Sequence, residues 1–174
     1  MSGKIESLKV VEDQYNGAKK KVERRIIVCA GTGCMANGAL KVFSELEKEI
    51  KARNIYVTLE LDYEDKKKDH ETYISKSGCQ GFCQMGPLVT ILPENLLYTK
   101  VTVNDVVEIV EKTIVGNETI DRLLYRDPVT AVHCKGTGDI PFYTKQERLI
   151  LKQCGTLNPE DIKEYIGHMQ FGKN

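Results

Sequence analysis

Arg25-Ile26-Ile27-Val28-Cys29-Ala30-Gly31-Thr32-Gly33-Cys34-Met35-Ala36 decides the reading of this chain. A β-branched run ends on a cysteine, turns through glycines to a second cysteine, and opens a helical pattern. A second run answers it downstream: Gly78-Cys79-Gln80-Gly81-Phe82-Cys83-Gln84-Met85-Gly86-Pro87. The two runs present cysteines at C-x4-C and C-x3-C, each inside a glycine-rich loop. Four thiols in two such loops can hold a metal centre.

Working outward, Ile26–Val28 predicts a buried strand, and Leu40, Phe43, Leu46 and Ile50 recur at helical spacing up to Arg53-Asn54. Residues 55–61 alternate as a strand, and 62–70 form a charge run, expected as a solvated excursion. Thr72–Ser75 predicts a short strand feeding the second cysteine loop. Leu88–Leu92 and Leu96–Tyr98 flank the turn Pro93-Glu94-Asn95 as a hairpin. Thr102 can cap a helix with the stripe Val103, Val106, Val107, Val110 and Ile114, ended by Gly116-Asn117. This order predicts an α/β domain over 25–116, a thioredoxin-like mixed sheet flanked by helices.

Residues 1–24 are polar and lysine-rich, expected as an N-terminal arm or short helix, with Ile5, Leu8, Val11 and Tyr15 at helical spacing. Residues 117–141 look like an extended linker. Residues 142–174 form a C-terminal extension that looks truncated. In it, Arg148–Lys152 is strand-like, and Asn158-Pro159-Glu160-Asp161 starts a helix whose apolar side lacks an evident partner. Some thirty residues cannot bury a core of their own.

The chain has 174 residues, 41% apolar and 29% charged, with a formal net charge of zero. That balance argues against bulk electrostatic binding of nucleic acid or an anionic membrane. No apolar run reaches the roughly 20 residues of a membrane helix, and Met1–Val22 lacks the apolar region of a secretory signal. A cytoplasmic home is the expectation, where six cysteines point to metal binding or catalysis before disulfides.

Iron in a cluster takes thiolate sulfur, so Cys29, Cys34, Cys79 and Cys83 are the candidate ligands of a [2Fe–2S] cluster. Gly31, Gly33, Gly78, Gly81 and Gly86 are expected to allow tight or left-handed turns that aim backbone N–H groups at sulfur. Met35, Phe82, Met85 and Pro87 are candidates to shield it from water. Zinc stays open, since four thiolates suit it too, and so does a thiol–disulfide oxidoreductase, although Cys29–Cys34 is a wide pair. Gly31-x-Gly33-x-x-Ala36 with Asp62 matches a loose dinucleotide fingerprint, but that leaves both cysteine pairs unexplained. Cys134 and Cys154 are expected to be bystanders, and His70, His133 and His168 surface residues. No hydrolytic set is evident.

Cys29–Cys34 and Gly78–Pro87 resemble the thioredoxin-like [2Fe–2S] ferredoxins, which include the small ferredoxin subunit of respiratory complex I. Phe142–Gln146, Leu151–Gly155 and Asn158–Ile166 are similar to the stretch opening the NADH-binding flavoprotein to which such domains are fused. The match resembles the N-terminal part of the diaphorase subunit of NAD-linked [FeFe] hydrogenases or of NAD(P)-dependent formate dehydrogenases. The resemblance carries the ligand role to Cys29, Cys34, Cys79 and Cys83. It implies an electron-transfer domain working with other subunits of a multi-subunit oxidoreductase, with a homodimer allowed. FMN and NAD would then be bound only by a region beyond Asn174.

Overall fold

The structure is a computed structural model and describes residues 7–59, 61 and 71–169. Ile5, Asp62, the 62–70 charge run and His70 lie outside these residues.

Helix α1 (Leu8–Lys19) precedes β1 (Val22–Cys29), the short α2 (Thr32–Ala36) and α3 (Ala39–Ala52). Strands β2 (Val57–Thr58), β3 (Glu71–Ser77), β4 (Val89–Leu92) and β5 (Leu96–Tyr98) follow. They form one sheet in the order β2-β3-β1-β4-β5. β1 runs parallel to β3, which runs parallel to β2, whereas β4 is antiparallel to both β1 and β5. This is the expected mixed sheet. β1 is central, so its last four residues, Ile26–Cys29, are all buried. Among the described residues of the 55–61 segment, Val57 and Thr58 pair as strand.

The first face of the sheet carries Ile26, Val28, Ile74, Val89 and Ile91. They share a core with Val42, Leu46 and Ile50 of α3 and with the helix after Thr102. That helix starts with a 3-10 turn (Val103–Asp105), passes through α4 (Val106–Glu108) and widens into π-helix (Ile109–Val115). The Thr102 N–H and hydroxyl both donate to Asp105 Oδ2, at 2.8 and 2.7 Å. The buried stripe is Val106, Ile109, Val110 and Ile114. Val103 and Val107, expected to face the core, are exposed. The Tyr98 hydroxyl lies 2.7 Å from Thr113 Oγ1 and accepts from Ile120 N–H at 3.1 Å, tying β5 to this helix.

Residues 117–141 are not an extended linker. Ile120, Leu123, Leu124, Cys134 and Ile140 are buried in the same core, and β6 (Tyr125–Arg126) pairs with β7 (His133–Cys134). Thr99 N–H donates to Leu123 O and Leu97 N–H to Lys135 O, each at 2.7 Å, fastening the segment to β5. Arg148–Lys152 forms turns rather than the expected strand.

The second face of the sheet is covered by both ends of the described chain. Val11, Tyr15 and Ala18 of α1 are buried, Tyr15 and Ala18 in a cluster with Tyr73. After α5 (Pro141–Thr144), α6 (Ile162–Met169) packs beside α1, which supplies the partner its apolar side lacks in sequence. A Cβ at Gly167 would fall within 2.0 Å of the Tyr15 ring, so only glycine admits this approach. His168, expected on the surface, is half-buried with its ring 5.7 Å from that of Tyr15. Glu164 is fully buried, with Oε1 2.6 Å from Arg25 Nη1 on β1.

Candidate metal centre

The site begins with the sheet. Because β1 and β3 are parallel neighbours, Cys29 stands opposite Ser77. The loops leaving both strands therefore emerge side by side at their carboxyl ends. Ala30 N–H donates to Ser77 O at 3.0 Å and Cys29 N–H to Leu88 O at 3.0 Å, closing the base of the two loops.

Cys29 ends β1, and Cys34 sits inside α2, whose first residue is Thr32. The helix thus starts ahead of Cys34, not after it. Cys79 follows β3, and Cys83 opens a 3-10 turn running to Met85. The Cys29 and Cys34 thiols lie close enough to govern each other's protonation. Cys79 Sγ and Cys83 Sγ lie 3.9 Å apart. All four are unpaired thiols. They are gathered as two pairs: among the described residues no three His, Cys, Asp or Glu side chains surround one point as a single ion requires.

Three glycines draw the pairs together by having no side chain. A Cβ on Gly31 would fall 2.8 Å from Cys79 Cβ, one on Gly33 3.2 Å from Cys83 Cβ, and one on Gly86 2.6 Å from Cys34 Sγ. The expected reason, unusual backbone dihedrals, holds within this set only for Gly81, at φ +84°. The others leave room. Gly78 is less pressed, its nearest neighbour being Cys154 Sγ at 3.8 Å.

Backbone N–H groups are aimed at sulfur. Gly81 N–H donates to Cys79 Sγ at 3.4 Å. The hydrogen bond from Cys34 holds the Cys29 thiol down at about 6, helped against burial by the N–H groups of Gln80 and Gly31. The same shared proton, with burial, pushes Cys34 up, against Leu88 N–H. Its hydrogen bond with Cys79 pushes Cys83 up. The anionic form is thus favoured at Cys29, whereas Cys34 and Cys83 hold their protons more tightly.

The two pairs differ in access. Cys29 and Cys34 are each 1% exposed, whereas Cys79 and Cys83 are exposed. The apolar residues expected as a shield do not close over the outer pair, and Met35 is itself exposed. Phe82 turns instead toward the C-terminal extension. Its ring stacks on Phe142 at 4.6 Å and meets Tyr125 and Tyr143 edge-on. Arg148 donates to Gln80 O at 2.8 Å. Neither Arg148 nor these aromatic partners carries a spacing signal in the sequence.

Of the bystanders, Cys134 is buried in the main core, and Cys154 is half-buried beside Gly78. Neither joins the two pairs, and His133 is exposed on β7.

Fold and site together define a thioredoxin-like domain built to present two thiol pairs at one end of its sheet. Residues 13–114 match the family of thioredoxin-like [2Fe–2S] ferredoxins, more than half of the chain, and the chain belongs to that family. It is 35% identical over 101 residues to the 2Fe–2S ferredoxin of Clostridium pasteurianum, covering 58% of this chain and 94% of that protein. It is 43% identical over 53 residues to the 2Fe–2S ferredoxin of Aquifex aeolicus, covering 30% and 48%. Among solved structures, a thioredoxin-like [2Fe–2S] ferredoxin from Aquifex aeolicus aligns with a TM-score of 0.45 at 28% identity. That alignment covers 57% of this chain and 87% of the other.

Proposed function

We propose that Cys29, Cys34, Cys79 and Cys83 hold a [2Fe–2S] cluster and that the protein is a one-electron carrier. The observation that carries this reading is the two-by-two grouping of the thiols, each pair suited to one tetrahedral iron. The residues fit the group in a second respect: glycines leave open the space between the loops, and N–H groups face the sulfurs. When bound, the cluster supplies a centre that accepts and releases one electron.

The chain's own residues do the rest. Cys29 and Cys34 anchor the buried side, on the most protected end of β1. Cys79 and Cys83 form the exposed side, the direction from which a partner's redox centre can approach. The N–H groups of Gly31, Gln80, Gly81 and Leu88 offer partial positive charge to the sulfurs, which favours the more negative, reduced state. Gly31 and Gly86 keep this geometry compact.

We further read the protein as a component of an NAD-linked oxidoreductase of the hydrogenase or formate dehydrogenase type. There it would pass electrons between a flavin-bearing region and another cluster, with other subunits as partners, in a reducing cytoplasm. The similarity of Phe142–Ile166 to the opening of the flavoprotein supports this, as do six unpaired thiols.

Thiol–disulfide exchange is the second reading, favoured by the lowered Cys29 thiol beside Cys34. Burial of both sulfurs weighs against it, because a disulfide substrate has to reach the attacking thiolate. Anaerobic reconstitution with quantitation of metal and acid-labile sulfide separates the readings. Iron and sulfide in equal amounts, two of each per chain, is the result for a [2Fe–2S] cluster. Zinc without sulfide, or no metal, would refute it.

A further inference from the structure

The Gln80–Gly81 peptide lies between the cysteine site and the C-terminal extension, and it is held from both sides. Its N–H, on Gly81, donates to Cys79 Sγ at 3.4 Å. Its carbonyl, on Gln80, accepts from Arg148 Nη2 at 2.8 Å. In a planar trans peptide the C=O and N–H point in opposite directions. Holding the oxygen toward Arg148 therefore keeps the N–H turned toward sulfur.

This peptide needs an external hold. Gly81 sits at φ +84°, and glycine adopts positive and negative φ with similar ease. Rotation of the peptide, with a compensating change at Gly81, would turn the N–H away and the carbonyl oxygen toward the thiolate. Arg148 is itself well placed to prevent this. Its guanidinium lies over the Tyr143 ring, 5.1 Å from the centroid, and packs so closely on Gly81 that a Cβ there would fall 2.9 Å from Nη2. Tyr143 is fixed in turn against Phe82 of the same loop and against Phe142.

We propose that Arg148 is a positioning residue for the cluster site: it holds the Gln80–Gly81 peptide with its N–H on Cys79 and adds a fixed positive charge beside the exposed thiol pair. Both effects favour the reduced cluster. Arg148 lies outside the 13–114 span matched by the ferredoxin family. The extension thereby adjusts a centre whose four thiols all come from the family's own fold. The inference rests on the [2Fe–2S] reading.

The test uses the full chain, reconstituted, as parent, Arg148→Gln and Arg148→Lys. Iron and sulfide are quantified first, then the midpoint potential is measured by dye-mediated titration. Arg148→Gln is expected to keep its cluster and shift to a more negative potential. Arg148→Lys, which keeps the charge but not the planar fork, is expected to fall between. In the cluster-free protein the Gly81 amide is expected to exchange hydrogen faster in Arg148→Gln than in the parent. A fully loaded Arg148→Gln with the parent's potential overturns the proposal. A parent that takes up no iron and sulfide overturns instead the reading beneath it.

Discussion

Gly86 and Cys34 touch so closely that a single added methyl group would lie 2.6 Å from the Cys34 sulfur. The same construction recurs in graded form, at 2.8 Å between Gly31 and Cys79 and 3.2 Å between Gly33 and Cys83, and relaxes to 3.8 Å between Gly78 and Cys154. Alanine at these four positions should therefore damage the site in that order. Gly86→Ala and Gly31→Ala are expected to lose most of their cluster and about 1–3 kcal/mol of stability by overpacking. Gly78→Ala should load as the parent does. Iron content and denaturant unfolding check the series. Equal loading across all four would mean that the close contacts do not shape the site.

Substituting the candidate ligands should separate them from the other two thiols. Cys29→Ser is expected to lose the visible chromophore or to hold it only transiently. Cys154→Ser should keep full iron. Cys134→Ser should keep it too, with some loss of stability from a hydroxyl placed in the core. Visible spectra with metal analysis read all three, and loss of iron in Cys154→Ser would add a thiol to the site.

The pair Arg25–Glu164 joins the ferredoxin sheet to α6. Burial pushes the Glu164 carboxyl above the usual range, opposed by Arg25. Arg25→Met leaves that carboxylate buried without its cation, a change that costs about 3–5 kcal/mol. The sign with pH follows from the raised value. An acid that holds its proton more tightly folded than unfolded destabilises the fold above its unfolded value and regains stability as pH falls. The deficit of Arg25→Met should thus be greatest near neutrality and shrink in acid. A deficit that grows on acidification would contradict this account of the pair.

Asp105 behaves oppositely. Burial alone would push its carboxyl up, but the Thr102 hydroxyl and N–H together with Arg122 outweigh burial and hold it below the usual carboxylate range. Its contribution is present above the unfolded value and is lost as pH falls through the lower folded one. Asp105→Ala should cost about 1–2 kcal/mol near neutrality, as for a lost helix cap. The parent and variant should converge at strongly acid pH. Thermal unfolding across pH checks both the size and the convergence.

What the sequence made legible was local. The strand into Cys29, the periodicity of α3 and the turn at Pro93–Asn95 each follow from neighbouring residues, and each is present. The two cysteine pairs were visible for the same reason. Distant packing left weaker traces. Nothing near Tyr15 announces that α6 will lie on it, although Gly167 inside a helical pattern was a usable sign of close approach. The stripe after Thr102 differs from the sequence pattern because the buried face is centred on Val106, Ile109, Val110 and Ile114 at ordinary helical spacing, which leaves Val107 at its edge and Val103 in the opening 3-10 turn. Ile120, Leu123 and Leu124 look like linker in the sequence because turn residues surround them, yet a core lacking a lid will recruit apolar residues from any passing segment. Sequence pattern suggests dihedral freedom as the role of the glycines, but at Gly31, Gly33 and Gly86 the lack of volume matters.

Electron paramagnetic resonance of the anaerobically reduced 174-residue chain tests the central claim most directly. The account predicts no signal from the oxidised cluster, and after dithionite a spin-one-half signal integrating to about one spin per two irons, as expected for one electron added to a [2Fe–2S] pair. A reduced sample that stays silent while carrying iron and sulfide, or one whose metal is zinc, would contradict it.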